Sequence, residues 1–487
     1  MQNQNPSMEI TTKARWGMLF VLVVLPFMAT LDSSVVNVAL PTMAAEFGVS
    51  SGAIAWIVSS YAIMISACIL FFGRLGDLAG HVPVFQAGLL VFSAGSLFCG
   101  FADTFPLLIA ARVMQAIGAG AAMSTNQGLL TSIFPPEERG RALGINAAFV
   151  ALGTLLGPSL GGLILSFASW EYLFWINVPI GAAGYIAGFF LFPRHRRVPK
   201  EERQGKMDYP GAILFLLFIF SLFLGLGQGQ SMGFGSPFIL ACFGTALVTF
   251  ILFLFVQTNR QHPLLPLGIF REKSFSVAVF CAFTSFVGIS VYNIVLPFYL
   301  QNVLGMRVGV SGMYMTVYPL LLVLIAPVSG YLSDKIGSEG LTVVGLSLIC
   351  LGLTGMGTLL GTEATPVRLI LLIGMTAAGN GLFTSPNNAM TMSSVPRDKL
   401  GIGGSVNALV RNIGMSFGTS LAPALLFGGM SVFLGQHVTG YLPGENEAFL
   451  FGMRIAFLAA AGITLVGAVM TMGRLVMGRR AKGGAGS

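Results

Sequence analysis

From Trp16 to Met472 the chain is a succession of apolar runs near 20 residues long, with no long polar interval between them. A run of that length crosses a hydrocarbon layer of about 30 Å when wound into a helix rising 1.5 Å per residue. No water is available inside such a layer, so each backbone N–H and C=O must be satisfied locally, which leaves helices or a closed barrel. A barrel would show strands that alternate apolar and polar residues, and that alternation is absent. Only 9% of the residues are charged, against roughly 25% in an average soluble domain, so the soluble multidomain protein that 487 residues would otherwise suggest is excluded. Runs bounded by Gly, Pro, Asn or charge fall near 16–40, 53–73, 82–102, 106–131, 141–165, 172–192, 209–227, 236–257, 274–300, 308–332, 341–361, 366–392, 403–430 and 449–474. The sequence therefore predicts an all-α polytopic membrane protein with fourteen transmembrane helices.

The formal charge of +8 does not point to nucleic acid, because its Lys and Arg are scattered over short loops. Most of the 26 basic residues occupy alternate loops; only Arg307, Arg368 and Arg454 fall in the opposite set, and Arg112 and Arg411 lie within helices. Basic loops stay on the cytoplasmic side, so both termini are expected in the cytoplasm. The polar residues 1–15 precede an apolar run too long for the core of a cleaved signal peptide, and the first helix is expected to be retained. Cys68, Cys99, Cys242, Cys281 and Cys350 all lie in apolar segments without a CxxC pattern, so neither a disulfide framework nor a metal site is expected. His81, His195, His262 and His437 form no HExxH or Ser/His/Asp pattern, and no GxxxxGK[ST] is present. The polar stretches 193–208 and 431–448 are too short for a catalytic domain. Neither an enzyme nor an ATP-driven pump follows.

Sliding the chain over itself reveals a repeat. Residues 124–140 align with 385–401 at an offset of 261, and the register extends through Gly118/Gly379, Asn146/Asn407, Gly153/Gly414 and Gly157/Gly418. At an offset of 257, Gly73-Arg74-Leu75-Gly76-Asp77 matches Gly330-Tyr331-Leu332-Ser333-Asp334. The chain thus divides into a cytoplasmic tail (1–15), a six-helix bundle (16–193), cytoplasmic loops with an inserted two-helix hairpin (194–273), a second, parallel six-helix bundle (274–475) and a tail (476–487). Two related halves suggest rocking about a central site.

Several segments are informative beyond their hydropathy: Leu31-Asp32-Ser33-Ser34-Val35-Val36-Asn37-Val38-Ala39-Leu40-Pro41, the loop Gly73 to Gly80, Arg112-Val113-Met114-Gln115-Ala116-Ile117-Gly118, Gly153 to Gly162 around Pro158, and Trp170 to Pro179. Together they resemble the major facilitator superfamily, and within it the fourteen-helix drug:proton antiporter branch. The loop departs from the family pattern at Leu78 and His81, where basic residues are usual, and Ala116 and Glu171 replace a usual Gly and Arg. The resemblance implies a proton-coupled multidrug efflux antiporter of a bacterial cytoplasmic (inner) membrane. It would act as a monomer, export small hydrophobic or monocationic compounds by alternating access, and need no cofactor beyond the proton gradient. A proton-coupled uptake symporter for a small metabolite is the rival reading of the same fold, and a lipid-handling membrane protein is a third.

Asp32 lies about eight residues, or roughly 12 Å, below the outer end of the first helix. An ionisable group at that depth costs at least about 2.5–3.5 kcal/mol to insert, and is by default functional. Arg112 enters the membrane to a similar depth, and Gln115 shares its helical face one turn on. Asp32, Arg112 and Gln115 are the expected proton-coupling and substrate group. Gly153, Gly157 and Gly161 share one helical face suited to close approach and fit a seam between two rocking halves, with Pro158 and Gly162 completing the antiporter-like motif. Gly73, Asp77, Gly80 and Asp334 are expected to form a conformational latch against neighbouring helix N-termini. Asn37, Tyr292, Asn293, Tyr299, Tyr314 and Tyr318 are expected to line the substrate space. Arg411 is expected to reach the cytoplasmic surface along its own stem.

Overall fold

The computed structural model describes residues 11–192, 206–436, 438 and 440–483. Most of the polar N-terminal tail, the basic stretch from Arg194 to Arg203 and the last four residues lie outside the described residues. Among the described residues, fourteen helical spans are long and apolar enough to cross a membrane, the sixth of them including the short turn Tyr172–Trp175 ahead of its main helix. They are α1 (Thr12–Phe47), α2 (Trp56–Ala79), α3 (His81–Cys99), α4 (Phe105–Ile133), α5 (Arg139–Phe167), α6 (Asn177–Leu191), α7 (Tyr209–Met232), α8 (Pro237–Asn259), α9 (Lys273–Phe298), α10 (Val308–Ile336), α11 (Ser338–Leu359), α12 (Pro366–Ser393), α13 (Leu400–Leu434) and α14 (Asn446–Gly483). Their starts follow local chemistry: Thr11, Asp208, Ser236 and Thr365 each accept a bond from a first-turn N–H, which satisfies a donor that the helix itself cannot. Gly80 (φ 103°) and Gly337 (φ 89°) turn α2 directly into α3 and α10 into α11 through a left-handed conformation that favours glycine.

The repeat is visible in the packing. Gly88 on α3 and Gly118 on α4 sit against each other's carbonyls, and Gly345 on α11 and Gly379 on α12 do the same. Asn126 on α4 donates to the Leu22 carbonyl of α1 at 2.7 Å, and Asn387 on α12 donates to the Ala278 carbonyl of α9 at 3.1 Å. One apolar core contains Leu22, Leu25, Phe85 and Phe92 and continues to Leu400, Ile402 and Val406 of the second half; a second, with Leu346, Ile349, Leu353 and Phe457, lies within the second half. α7 packs on α8 and also lies against α2 and α13, one helix from each half. On α8, Leu247, Val248, Ile251 and Phe255 remain more than 45% exposed, as a face turned to acyl chains requires.

The halves meet along α2 with α13 and α5 with α10. At one membrane face both seams are closed: Gly73 lies against Gly401 and Ser405, and Gly140 against Gly330. Towards the other face they part. On the side of α13 that buries Gly404 and Asn407 against α4, Met415 and Thr419 are exposed. Their repeat equivalents on α5, Thr154 and Pro158, are exposed as well. The molecule thus holds a cleft, shut at the face where α2, α5, α10 and α13 converge and open at the opposite one.

Candidate functional site

A polar cluster is buried within the first half. Both Asp32 on α1 and Arg112 on α4 are no more than 1% exposed. One Asp32 oxygen accepts a charged bond from Arg112 Nη1 at 2.5 Å; the other accepts from Gln115 Nε2 at 2.9 Å and Asn177 Nδ2 at 3.0 Å. Gln115 returns its oxygen to Arg112 Nη1 and donates to Ser96 Oγ on α3 at 2.8 Å. Arg112 Nε donates to the Ile57 carbonyl of α2, and its guanidinium carbon lies 4.2 Å from the centre of the Tyr61 ring. Three donors thus converge on the two oxygens of Asp32, and a buried ion pair is tolerated when it is so hydrogen-bonded. The group ties α1 to α2, α3, α4 and α6 inside one half, away from the cleft. The other hydrogen-bond partners of Arg112, Gln115 and the Ile57 carbonyl, are neutral, so Asp32 is its counter-charge among the described residues.

Asn177, Ser96 and Tyr61 complete this cluster, and sequence reasoning gave them no role. Asn177 begins α6, which follows a short helical turn, Tyr172–Trp175. A single Asn at the start of so apolar a span was the available signal, but without a partner in view it named no chemistry.

The glycine face of α5 does not lie between the halves. Gly153 is set against Phe27, Thr30 and Leu31, Gly157 against Ser34, and Gly161 against Val35 and Val38, all on α1 of the same half. The reason is helical phase: Gly144, which meets α10, is nine residues from Gly153, and nine steps of about 100° turn the helix half a revolution. Gly162 faces open space, and Pro158 is exposed inside an unbroken helix.

Asp77 and Asp334 occupy matching positions at the closed face. Asp77 accepts from the Gly401 and Ile402 amides, at 2.8 and 3.1 Å, at the start of α13. Asp334 accepts from the Gly140 and Arg141 amides, at 2.7 and 2.8 Å, at the start of α5. Each carboxylate thereby serves two orphan donors and the positive end of a helix dipole belonging to the other half.

Only part of the aromatic group comes together. Tyr292 and Tyr318 stack with ring centres 5.0 Å apart, and Asn380 donates to the Tyr318 hydroxyl at 2.8 Å, while the buried Tyr292 hydroxyl has no partner among the described residues. Tyr299 donates to the Gly361 carbonyl in the loop after α11, a structural tie away from that pair. Tyr314 packs at the edge of the second core, and Asn37 and Asn293 are exposed.

A family model for the Major Facilitator Superfamily matches residues 22–419. The chain belongs to that superfamily. Within it, the riboflavin transporter RibZ of Clostridioides difficile is 32% identical, the alignment covering 94% of this chain and 97% of that protein. The tetracenomycin C resistance and export protein of Streptomyces glaucescens is 28% identical, over 94% of this chain and 91% of that one. The human organic anion transporter MFSD10 shares the fold at a TM-score of 0.62 and 14% identity, covering 96% of this chain and the whole of that structure. This superfamily member is a multi-pass membrane transport protein for small molecules, not an enzyme.

Proposed function

We propose that this chain is a proton-coupled antiporter that exports small hydrophobic compounds across the cytoplasmic (inner) membrane by alternating access, as a monomer. The observation that carries this reading is the buried carboxylate of Asp32, held by Arg112, Gln115 and Asn177 in a half that must move relative to its partner. The bias of Lys and Arg supports placing the closed face and both termini in the cytoplasm. In that orientation the latches of Asp77 and Asp334 hold the outward-open state. A proton arriving from outside and neutralising Asp32 frees Arg112 to repack α1 against α4, the halves rock, and the latches open to admit cargo from the cytoplasm.

The test is uptake of a fluorescent lipophilic dye into inverted membrane vesicles energised by respiration, with and without a protonophore. Export driven by protons gives dye accumulation that the protonophore abolishes and that Asp32→Asn lacks. Accumulation that survives the protonophore, or that Asp32→Asn sustains at the wild-type rate, defeats the proposal. Proton-coupled uptake of one metabolite is the second reading, supported by the similarity to a riboflavin transporter. It requires the metabolite to accumulate in intact cells.

A further inference from the structure

Arg411 has a place in this molecule that the latches and the Asp32 network leave unexplained. It lies eleven residues into α13, about 16 Å from the start of that helix at 1.5 Å per residue. No ion pair among the described residues involves it, and no hydrogen bond satisfies it. Arg411 is only partly buried, and its guanidinium nitrogens keep contact with accessible space. Helical phase says which space. Arg411 follows Gly404 by seven residues and Asn407 by four, the two positions that α13 buries against α4. Met415 and Thr419, exposed on that face, continue its stripe outward. Arg411 therefore opens into the cleft between the halves, not to lipid.

Directly beneath it, Asn407 Nδ2 donates to Gln127 of α4 at 2.9 Å and to Asn388 of α12 at 2.7 Å, a polar lattice that floors the cleft. One turn outward from Asn388, Thr384 donates to Asn380, which in turn holds the stacked Tyr318. Spans α9 to α14 carry carboxylates only at their ends, Asp334, Glu339 and Glu447, so nothing within them neutralises Arg411. A guanidinium without a protein counter-charge, placed at membrane depth on the wall of a cleft, offers a site to an anion, and its planar fork suits a carboxylate or sulfonate.

We propose that Arg411 is the anion-binding residue of the substrate cleft, and that the preferred cargo carries an acidic group on an aromatic, hydrophobic body. This rests on the reading of the chain as a small-molecule transporter and replaces the expectation of monocationic cargo. It is tested by binding, without any gradient, to the purified full chain in lipid nanodiscs, using three probes with one fluorophore: pyrenebutyrate, its neutral amide and the corresponding pyrenebutyl trimethylammonium. The wild type should bind the carboxylate at least tenfold more tightly than the amide, and the cation least. Arg411→Gln should bring the carboxylate to the level of the amide while leaving amide binding unchanged; Arg411→Lys should keep part of the preference. If Arg411→Gln does not fold, the wild-type order of the three probes and the partial preference of Arg411→Lys decide. A wild type that binds the amide or the cation as tightly as the carboxylate, or binds none of the three, overturns the proposal, as does an unchanged preference in Arg411→Gln. Binding that follows this pattern while vesicles show no proton-driven export leaves Arg411 assigned and sinks the antiporter reading alone.

Discussion

Replacing Asp32 with Asn keeps the shape of the side chain and removes the counter-charge of Arg112. Breaking a buried pair in this one-sided way costs about 3–5 kcal/mol, so Asp32→Asn should melt well below the wild type in detergent. The double variant Asp32→Asn/Arg112→Gln should recover much of that loss yet still fail to pump. Equal melting of the single and double variants would show that the pair contributes no buried charge. A second contrast concerns two glycines that the sequence groups in one motif. A side chain at Gly157 collides with Ser34 of α1, whereas Gly162 faces open space. Gly157→Leu should lose folded protein, overpacking of this kind costing about 1–3 kcal/mol, and Gly162→Leu should express and transport normally, as size-exclusion profiles and dye export will show. Composition and spacing could reveal that Asp32, Arg112 and Gln115 lie at one depth, because helical rise and phase are fixed. They could not reveal Asn177 or Ser96, whose meaning depends on which helices adjoin.

At the scale of elements, each seam between the halves is closed by a carboxylate on the N-terminus of a helix from the other half. An Asn in place of either Asp offers one acceptor where two donors wait and loses the charge that the helix dipole favours, a loss of about 1–3 kcal/mol. A cysteine at Ser405, which is buried where α13 meets Gly73, should therefore react faster with a membrane-impermeant thiol reagent in Asp77→Asn than in the wild type. The effect of Asp334→Asn should be smaller, since Asp334 closes the other seam, at the start of α5, while the Asp77 side chain, only 2% exposed, closes the seam that holds Ser405. Equal labelling in all three would mean that the carboxylates do not hold the closed face. These latches were legible early because the repeat preserves their residue types. The glycine face of α5 meets α1 and not the other half, because periodicity gives a face but not its partner. The apolar pattern places Arg411 nearer the membrane surface than it lies, because α13 starts at Leu400, ahead of that pattern.

For the whole molecule, the inserted hairpin fixes a count that can be checked directly. α8 lies between Gly233 and Gly268, so reporter fusions at those two glycines should fall on opposite sides of the membrane; the same side for both would remove a span. The hairpin also makes the molecule's two seams unequal. α7 covers the line where α2 meets α13, and the Ser420 hydroxyl of α13 donates to the α7 Leu226 carbonyl at 2.9 Å. Among the described residues no further helix covers the line where α5 meets α10, which leaves that line open to the acyl chains of a surrounding bilayer. The bilayer therefore acts on a two-fold machine asymmetrically: lateral pressure and chain length bear on the naked seam, while the sheathed one moves against protein of fixed shape. In the proposed cycle, a change in lipid tails should alter one hinge and leave the other as it was.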